Sequence, residues 1–158
     1  MAPPALTDDE LLDVLGRYLR ILQGHPEPER MMDEILTPDF ETGFVGGHLW
    51  TGIDGLRDFL AARSPFFDER HEIQELQGRS GGQGGEDVEA HTRLRFFLRS
   101  WEPPSPVSEE YTGDCFHTWR VRHAGGRWRV AAQLVERFAN LNENSARLFG
   151  TPQEGLNT

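Results

Sequence analysis

The stretch EYTGDCFHTWRVRHAGGRWRVAAQLVERF, Glu110 to Phe138, sets apolar and polar side chains in alternation on both sides of Ala124-Gly125-Gly126. A period of two belongs to strands, and a tight glycine turn between two such runs predicts an antiparallel hairpin with strands over 110–123 and 127–138. The same period reaches upstream to His71 and predicts two more strands, 70–79 and 87–101, parted by the glycine-rich Ser80–Gly85 and the proline-rich Glu102–Pro106. A strand of about 14 residues spans roughly 46 Å, too long to lie flat in a compact domain with a radius of gyration near ~15 Å. The sheet must therefore bend or twist. A bent sheet has a concave face, and helices that do not fill it leave a pocket.

Ahead of His71 the period is that of helices. Thr7-Asp8-Asp9-Glu10 is a capping box, and Leu11, Leu12, Leu15, Tyr18, Leu19 and Leu22 form one apolar stripe ended by Gly24 and Pro26, which predicts a helix over 7–23. Pro28 opens a shorter helix through Met31, Met32, Ile35 and Leu36 that Pro38 stops. Phe40–Phe44 reads as a short strand closed by Gly46-Gly47. Thr51-Gly52-Ile53-Asp54 reads as a second box-like cap, with Ile53, Leu56, Phe59 and Leu60 on one face of a third helix ending near Ala62.

The 158 residues predict one domain over 1–150 with a polar tail over 151–158. With 16 basic against 26 acidic side chains the formal charge is −10, which repels phosphate backbones, so nucleic acid is not an expected partner. No apolar run reaches the length of a membrane span, and MAPPALTDDE carries neither a basic nor an apolar leader region, so no membrane association is expected. The single cysteine, Cys115, forms no internal disulfide, and the cytoplasm is the simplest compartment. None of the six histidines pairs at i and i+4 on a helix, there is no CxxC, and the glycines of Gly81–Gly85 sit in a polar hairpin connection. No metal and no cofactor are expected.

Three helices followed by a long curved antiparallel sheet carry a set of marks in a fixed order. These are Tyr18 late in the first helix, Leu36-Thr37-Pro38-Asp39-Phe40, Trp50-Thr51-Gly52-Ile53-Asp54-Gly55-Leu56, His71 entering the first long strand, and Gly126-Arg127-Trp128-Arg129-Val130. In these the chain resembles the nuclear-transport-factor-2-like (NTF2-like) superfamily over residues 7–138, in particular its SnoaL-like, scytalone-dehydratase-like branch. The resemblance implies an α+β cone enclosing a pocket that serves cyclases, dehydratases, isomerases and epoxide hydrolases, and also proteins without catalysis. It further implies a site of two histidines, a carboxylate eight positions after Trp128, and a tyrosine from the first helix: His71, His117, Glu136 and Tyr18. The chain departs from that branch in carrying Leu19, not an acid, after the tyrosine. Arg93 and Arg95 have no aspartate beside them on their strand, which disfavours the epoxide-hydrolase relay.

Residue by residue, two readings stand beside each other. Parity on the last strand puts Trp128, Val130, Ala132, Leu134 and Glu136 toward the core. There Glu136 is a desolvated acid or base; the alternative is a strand that has ended or bulged, leaving Glu136 to Arg137 or solvent. On the strand before it, Cys115, His117, Trp119 and Val121 face inward, His117 as donor, base or satisfied core group and Trp119 as an apolar wall. Cys115 has no signature of thiolate activation. His71 lines the pocket beneath Phe66 and Phe67, or caps a loop among Asp68, Glu69, Arg70 and Glu72. Asp39 sits at the rim or bonds its own turn. Trp50 forms a wall or staples the third helix.

On the outer sheet face Arg93, Arg95, Arg99, Arg120, Arg122, Arg127 and Arg129 interleave with Glu89, Glu110 and Asp114, and Phe97, Trp101 and Phe116 lie among them. Cross-strand ion pairs account for the charges, and exposed aromatics amid arginines predict a homodimer through this face. Leu141, Leu148 and Phe149 predict a short C-terminal helix over the pocket mouth or onto a partner. The functional expectation is a cofactor-independent acid/base enzyme, a cyclase, dehydratase or isomerase, acting on a small hydrophobic carbonyl or polyketide-like molecule. Glu136, His71, His117 and Tyr18 would be catalytic, and Asp39, Trp50, Phe67 and Trp119 would bind substrate. The alternatives are a non-catalytic binding or scaffold protein, or the small subunit of a ring-hydroxylating dioxygenase.

Overall fold

The computed structural model describes residues 5–150; the tail expected over 151–158 lies outside the described residues. Helix α1 (Asp8–Gln23) starts at the capping box read from the sequence: Thr7 Oγ1 accepts from Glu10 N at 3.1 Å, and Glu10 Oε1 accepts from Thr7 N at 3.0 Å. Its stripe of Leu11, Leu15, Tyr18, Leu19 and Leu22 is buried. Helix α2 (Pro28–Glu34) ends before the expected Leu36, because Ile35 O accepts from Val130 N at 2.8 Å and Leu36 already pairs with Val130. Strand β1 (Leu36–Phe44) therefore begins earlier than Phe40, passes through Pro38, and runs parallel to the last strand. Sheet pairing here overrides the local helical spacing.

Strand β2 (Leu49–Thr51) turns back on β1, and the turn requires glycine. Gly43 has φ +144°, and a Cβ there would stand 2.1 Å from His48 O. Helix α3 (Gly52–Arg63) follows with no side-chain cap from Thr51, which is held in β2 opposite Glu41; the second box read from the sequence does not form. Gly55 brings α3 against the Trp50 backbone, where a Cβ would come within 2.7 Å.

The long strands are β3 (Phe67–Gly81), β4 (Val88–Ser100), β5 (Glu109–Ala124) and β6 (Arg127–Ala139), in the sheet order β2-β1-β6-β5-β4-β3. Every pairing is antiparallel except β1 with β6. The sheet is curved and unclosed, and bulges break its register in β3 and β6. On β4 the inward set Val88, Ala90, Thr92, Leu94, Phe96 and Leu98 is buried without interruption. Beyond the three N-terminal helices there is a fourth short one, α4 (Glu143–Ser145), running into a turn over Ala146–Gly150. That turn lays Phe149 on Phe138, with ring centroids 4.9 Å apart and planes at 21°. Among the described residues no helix is long and apolar enough to cross a membrane.

Candidate active site

The concave face holds a cavity of about 230 Å³. Most of its wall is apolar and aromatic: Phe44 from β1, Trp50 from β2, Phe59 from α3, Phe96 from β4 and Phe138 from β6, with Phe149 folded in from the C-terminal turn. The polar lining is sparse and comes from five elements: Thr42 of β1, Arg63 of α3, His71 of β3, Cys115 and His117 of β5, and Gln133 of β6. A mainly apolar concavity with a few convergent polar groups is the usual form of a small-molecule site.

His71 is set by the end of α1. Gln23 Oε1 accepts from the His71 backbone N at 2.8 Å and from its Nδ1 at 3.0 Å. The amide oxygen can only accept, so the imidazole proton resides on Nδ1 and Nε2 keeps its lone pair. Burial, then the Arg63 guanidinium and His117 nearby, push His71 down from 6.5 to about 3, so it is neutral at physiological pH.

His117 belongs to a buried chain of hydrogen bonds. Tyr18 OH donates to Gln133 Oε1 at 2.6 Å, and Gln133 Nε2 donates to His117 Nε2 at 3.1 Å. This places the second imidazole's proton on Nδ1, which is buried and without a hydrogen-bond partner among the described residues. Burial pushes His117 down to about 4 and raises both the Tyr18 phenol and the Cys115 thiol. Cys115 Sγ lies 3.5 Å from His117 Nε2, yet a thiol with raised pKa beside a neutral histidine is not an activated nucleophile.

Arg63 closes the polar wall. It is ion-paired with Glu69, whose side chain is wholly inaccessible and whose second oxygen lies 2.6 Å from His25 Nε2. Burial pushes the Glu69 carboxyl up, while Arg63 and His25 oppose that shift. The Arg63 Nε is buried without a partner among the described residues.

Of the residues expected from sequence, His71, His117 and Trp50 line the cavity, and Tyr18 stands one hydrogen bond behind it. Trp119 is fully buried beneath: its Nε1 donates to Thr92 Oγ1 at 2.8 Å, and its ring lies 5.5 Å from that of His117. Glu136 is not in the site. The register passes from Val121↔Val130 to Arg120↔Ala132 and from His117↔Val135 to Phe116↔Arg137, so Ala131 and Glu136 are each an extra residue in β6. The first bulge inverts the parity, turns Gln133 and Val135 inward, and leaves Glu136 on the outer face, accepting from Thr118 Oγ1. Phe67 is 39% exposed and Phe66 takes the place expected for it. Asp39 lies outside, paired with Arg122 at 2.9 Å and bonded to Thr37; both hold its carboxyl below the usual range.

Reasoning from sequence missed Arg63, Gln133 and Gln23. Arg63 carried a signal: it continues the Leu56, Phe59 spacing of α3. Gln133 and Gln23 carried none. Among the described residues no group of three or more His, Cys, Asp or Glu could hold a metal ion.

Helices laid into an open, strongly curved sheet of this order, around an apolar cavity, define the NTF2-like fold. Solved structures bear this out at 13–16% identity, which establishes the fold alone. The Kfla4162 protein of Kribbella flavida is 16% identical, with a TM-score of 0.66 over 88% of this chain and 95% of its own. A type 2 hexachlorocyclohexane dehydrochlorinase, LinA, matches at 14% identity and TM-score 0.63 over 84% of this chain and 87% of its own. The beta subunit of the benzoate 1,2-dioxygenase of Burkholderia mallei matches at 13% and 0.64 over 90% and 95%. Neither a scan against protein-family models nor a search of curated proteins found a match.

Proposed function

We propose that the cavity performs cofactor-independent proton transfer on a small hydrophobic carbonyl compound, in the manner of an isomerase, cyclase or dehydratase. The observation that carries this reading is His71: its Nδ1 is bound to Gln23 and its Nε2 lone pair is left for the ligand, on a wall that also presents Arg63. His71 Nε2 takes a proton from the carbon beside the carbonyl. The C–H electron pair moves into a C=C bond, the carbonyl π pair moves to oxygen, and Arg63 faces the oxyanion that forms. Return of the proton to a second carbon gives an isomer; loss of a β-hydroxyl gives a dehydrated product plus water. A basicity held near 3 is low for this task. The oxyanion itself supplies the counter-charge that stabilises the imidazolium once the proton has moved. Tyr18 and Gln133 position His117 and do not touch the reacting atoms.

The low basicity of both imidazoles also favours a second reading, a protein that binds such compounds without turning them over, and the likeness to a dioxygenase beta subunit adds support to it. One experiment separates the two. Enolisable ketones are incubated with protein in D₂O and followed by mass spectrometry. Proton transfer predicts deuterium uptake with the wild type and its loss in His71→Gln; a ketone that binds but takes up no deuterium supports the binding protein.

A further inference from the structure

The end of α1 and the turn after it reach β3 at two successive inward positions. Gln23 accepts from His71, and His25 brings its Nε2 to 2.6 Å from Glu69 Oε2, an ion-pair contact rather than an aligned hydrogen bond. Through Oε1 the same carboxylate is ion-paired with Arg63, the last residue of α3 and part of the cavity wall. The Glu69 side chain is wholly inaccessible, whereas that of His25 is 36% exposed. One buried carboxylate thus bridges a residue of the cavity wall and a residue that solvent reaches.

The chain is bent to make this bridge. Among the described residues three besides glycine have positive φ, and two of them are here: His25 itself and Asp68, the residue before Glu69, each at φ +50°. Phe67 pairs with Arg99 and Arg70 with Phe97, so Asp68 and Glu69 together face the single Leu98. Left-handed backbone is costly for a residue with a Cβ, and a buried ion pair is seldom more stable than apolar side chains of the same volume. Stability alone does not account for the arrangement. What it accomplishes is to keep a guanidinium at the cavity wall, where, after burial, the Arg63 charge is the largest influence on both the His71 imidazole and the Tyr18 phenol. A guanidinium without that carboxylate has no counter-charge in the interior, and its long stem lets it swing out to water.

We propose that Glu69 is a positioning residue that tethers Arg63 to the cavity wall, and that His25 secures Glu69 from the solvent side. This rests on the proton-transfer reading for what Arg63 does once in place; the tether itself does not.

The reporter is the Arg63 Nε–H, which is buried in the tethered position and open to exchange once the side chain swings out. Its exchange with water is followed by ¹⁵N NMR in wild type, Glu69→Gln and His25→Gly. The buried Trp119 Nε1–H, bonded to Thr92, is the control for global loosening. Glycine takes the φ of position 25 without strain and leaves an opening for free imidazole. Arg63 exchange should quicken about tenfold or more in Glu69→Gln and about threefold or more in His25→Gly, with Trp119 within about twofold of wild type. Added imidazole should return His25→Gly to within about twofold of wild type. With phenylacetone as the probe for deuterium uptake, Glu69→Gln should lower kcat about tenfold and leave KM within about twofold, because the oxyanion exists only in the transition state.

Arg63 exchange that stays at the wild-type rate in Glu69→Gln, or that rises only in step with Trp119, overturns the proposal. Unchanged exchange in His25→Gly overturns the part assigned to His25. If Glu69→Gln does not fold, His25→Gly decides: faster Arg63 exchange reversed by imidazole upholds the tether, and an unmoved rate overturns it. Faster Arg63 exchange in the variants of a protein whose wild type puts no deuterium into phenylacetone contradicts the enzymatic reading for that ketone and leaves the tether standing.

Discussion

Lowering the pH from 7 to 5 costs the native state about 4 kcal/mol through His71 and His117 alone. Their pKa values fall from 6.5 to about 3 and about 4 on folding, with burial as the main cause. At pH 5 the unfolded imidazoles are mostly protonated while the folded ones remain neutral, so the unfolded state binds the extra protons and stability drops as pH falls. Both groups contribute fully above pH 6.5, and the contribution is lost between 6.5 and the folded values. One and a half units below 6.5, at roughly 1.4 kcal/mol per unit, gives about 2 kcal/mol for each histidine. Glu69, whose pKa is raised in the folded state, acts with the opposite sign, so the histidine part is read as a difference between proteins. The assay is urea denaturation at the two pH values on wild type, His71→Gln, His117→Gln and the double variant. Over this interval each single variant should lose about 2 kcal/mol less than wild type, and the double variant about 4 kcal/mol less. A wild type that loses less than about 1 kcal/mol more than the double variant over this interval would refute the reasoning.

Tyr18→Phe leaves Gln133 Oε1 without its 2.6 Å donor and should destabilise by about 1–3 kcal/mol in the same assay at pH 7. Gly43→Ala puts a methyl on the His48 carbonyl at a φ closed to L residues; a loss above about 2 kcal/mol is expected, and an unchanged melting temperature would contradict the turn geometry. Glu136→Gln removes a charge on the outer face, keeping an oxygen that can accept from Thr118, and should change ketone affinity and deuterium uptake by less than twofold, against the large effect expected had Glu136 faced the cavity.

Much of the fold was legible because regular elements write their environment into the spacing of side chains. The α1 stripe, its capping box, and the inward faces of β4 and β5 all follow an unbroken period, and His117 and Trp119 fall where that period puts them. β6 is where the reading failed. Two single-residue bulges shift its parity, so Gln133, read as outward, lines the cavity, and Glu136, read as inward, lies outside. Nothing local marks a bulge at Ala131, the residue at which the pairing of β6 shifts register against both β5 and the parallel β1. Gln23 was invisible for a different reason. Its role rests on one contact across 48 residues, between the end of α1 and β3, which no periodicity encodes.

On the proposed mechanism His71 acts as a neutral base, held through Nδ1 by Gln23 with Nε2 free. Site-resolved ¹⁵N NMR of the imidazoles between pH 8 and 4.5 measures this directly. The account predicts for His71 a protonated Nδ1 and a bare Nε2 throughout the range, with the Nδ1 proton losing its protection from exchange in Gln23→Ala. A His71 that becomes imidazolium near pH 6.5, or one that carries its proton on Nε2, would contradict it.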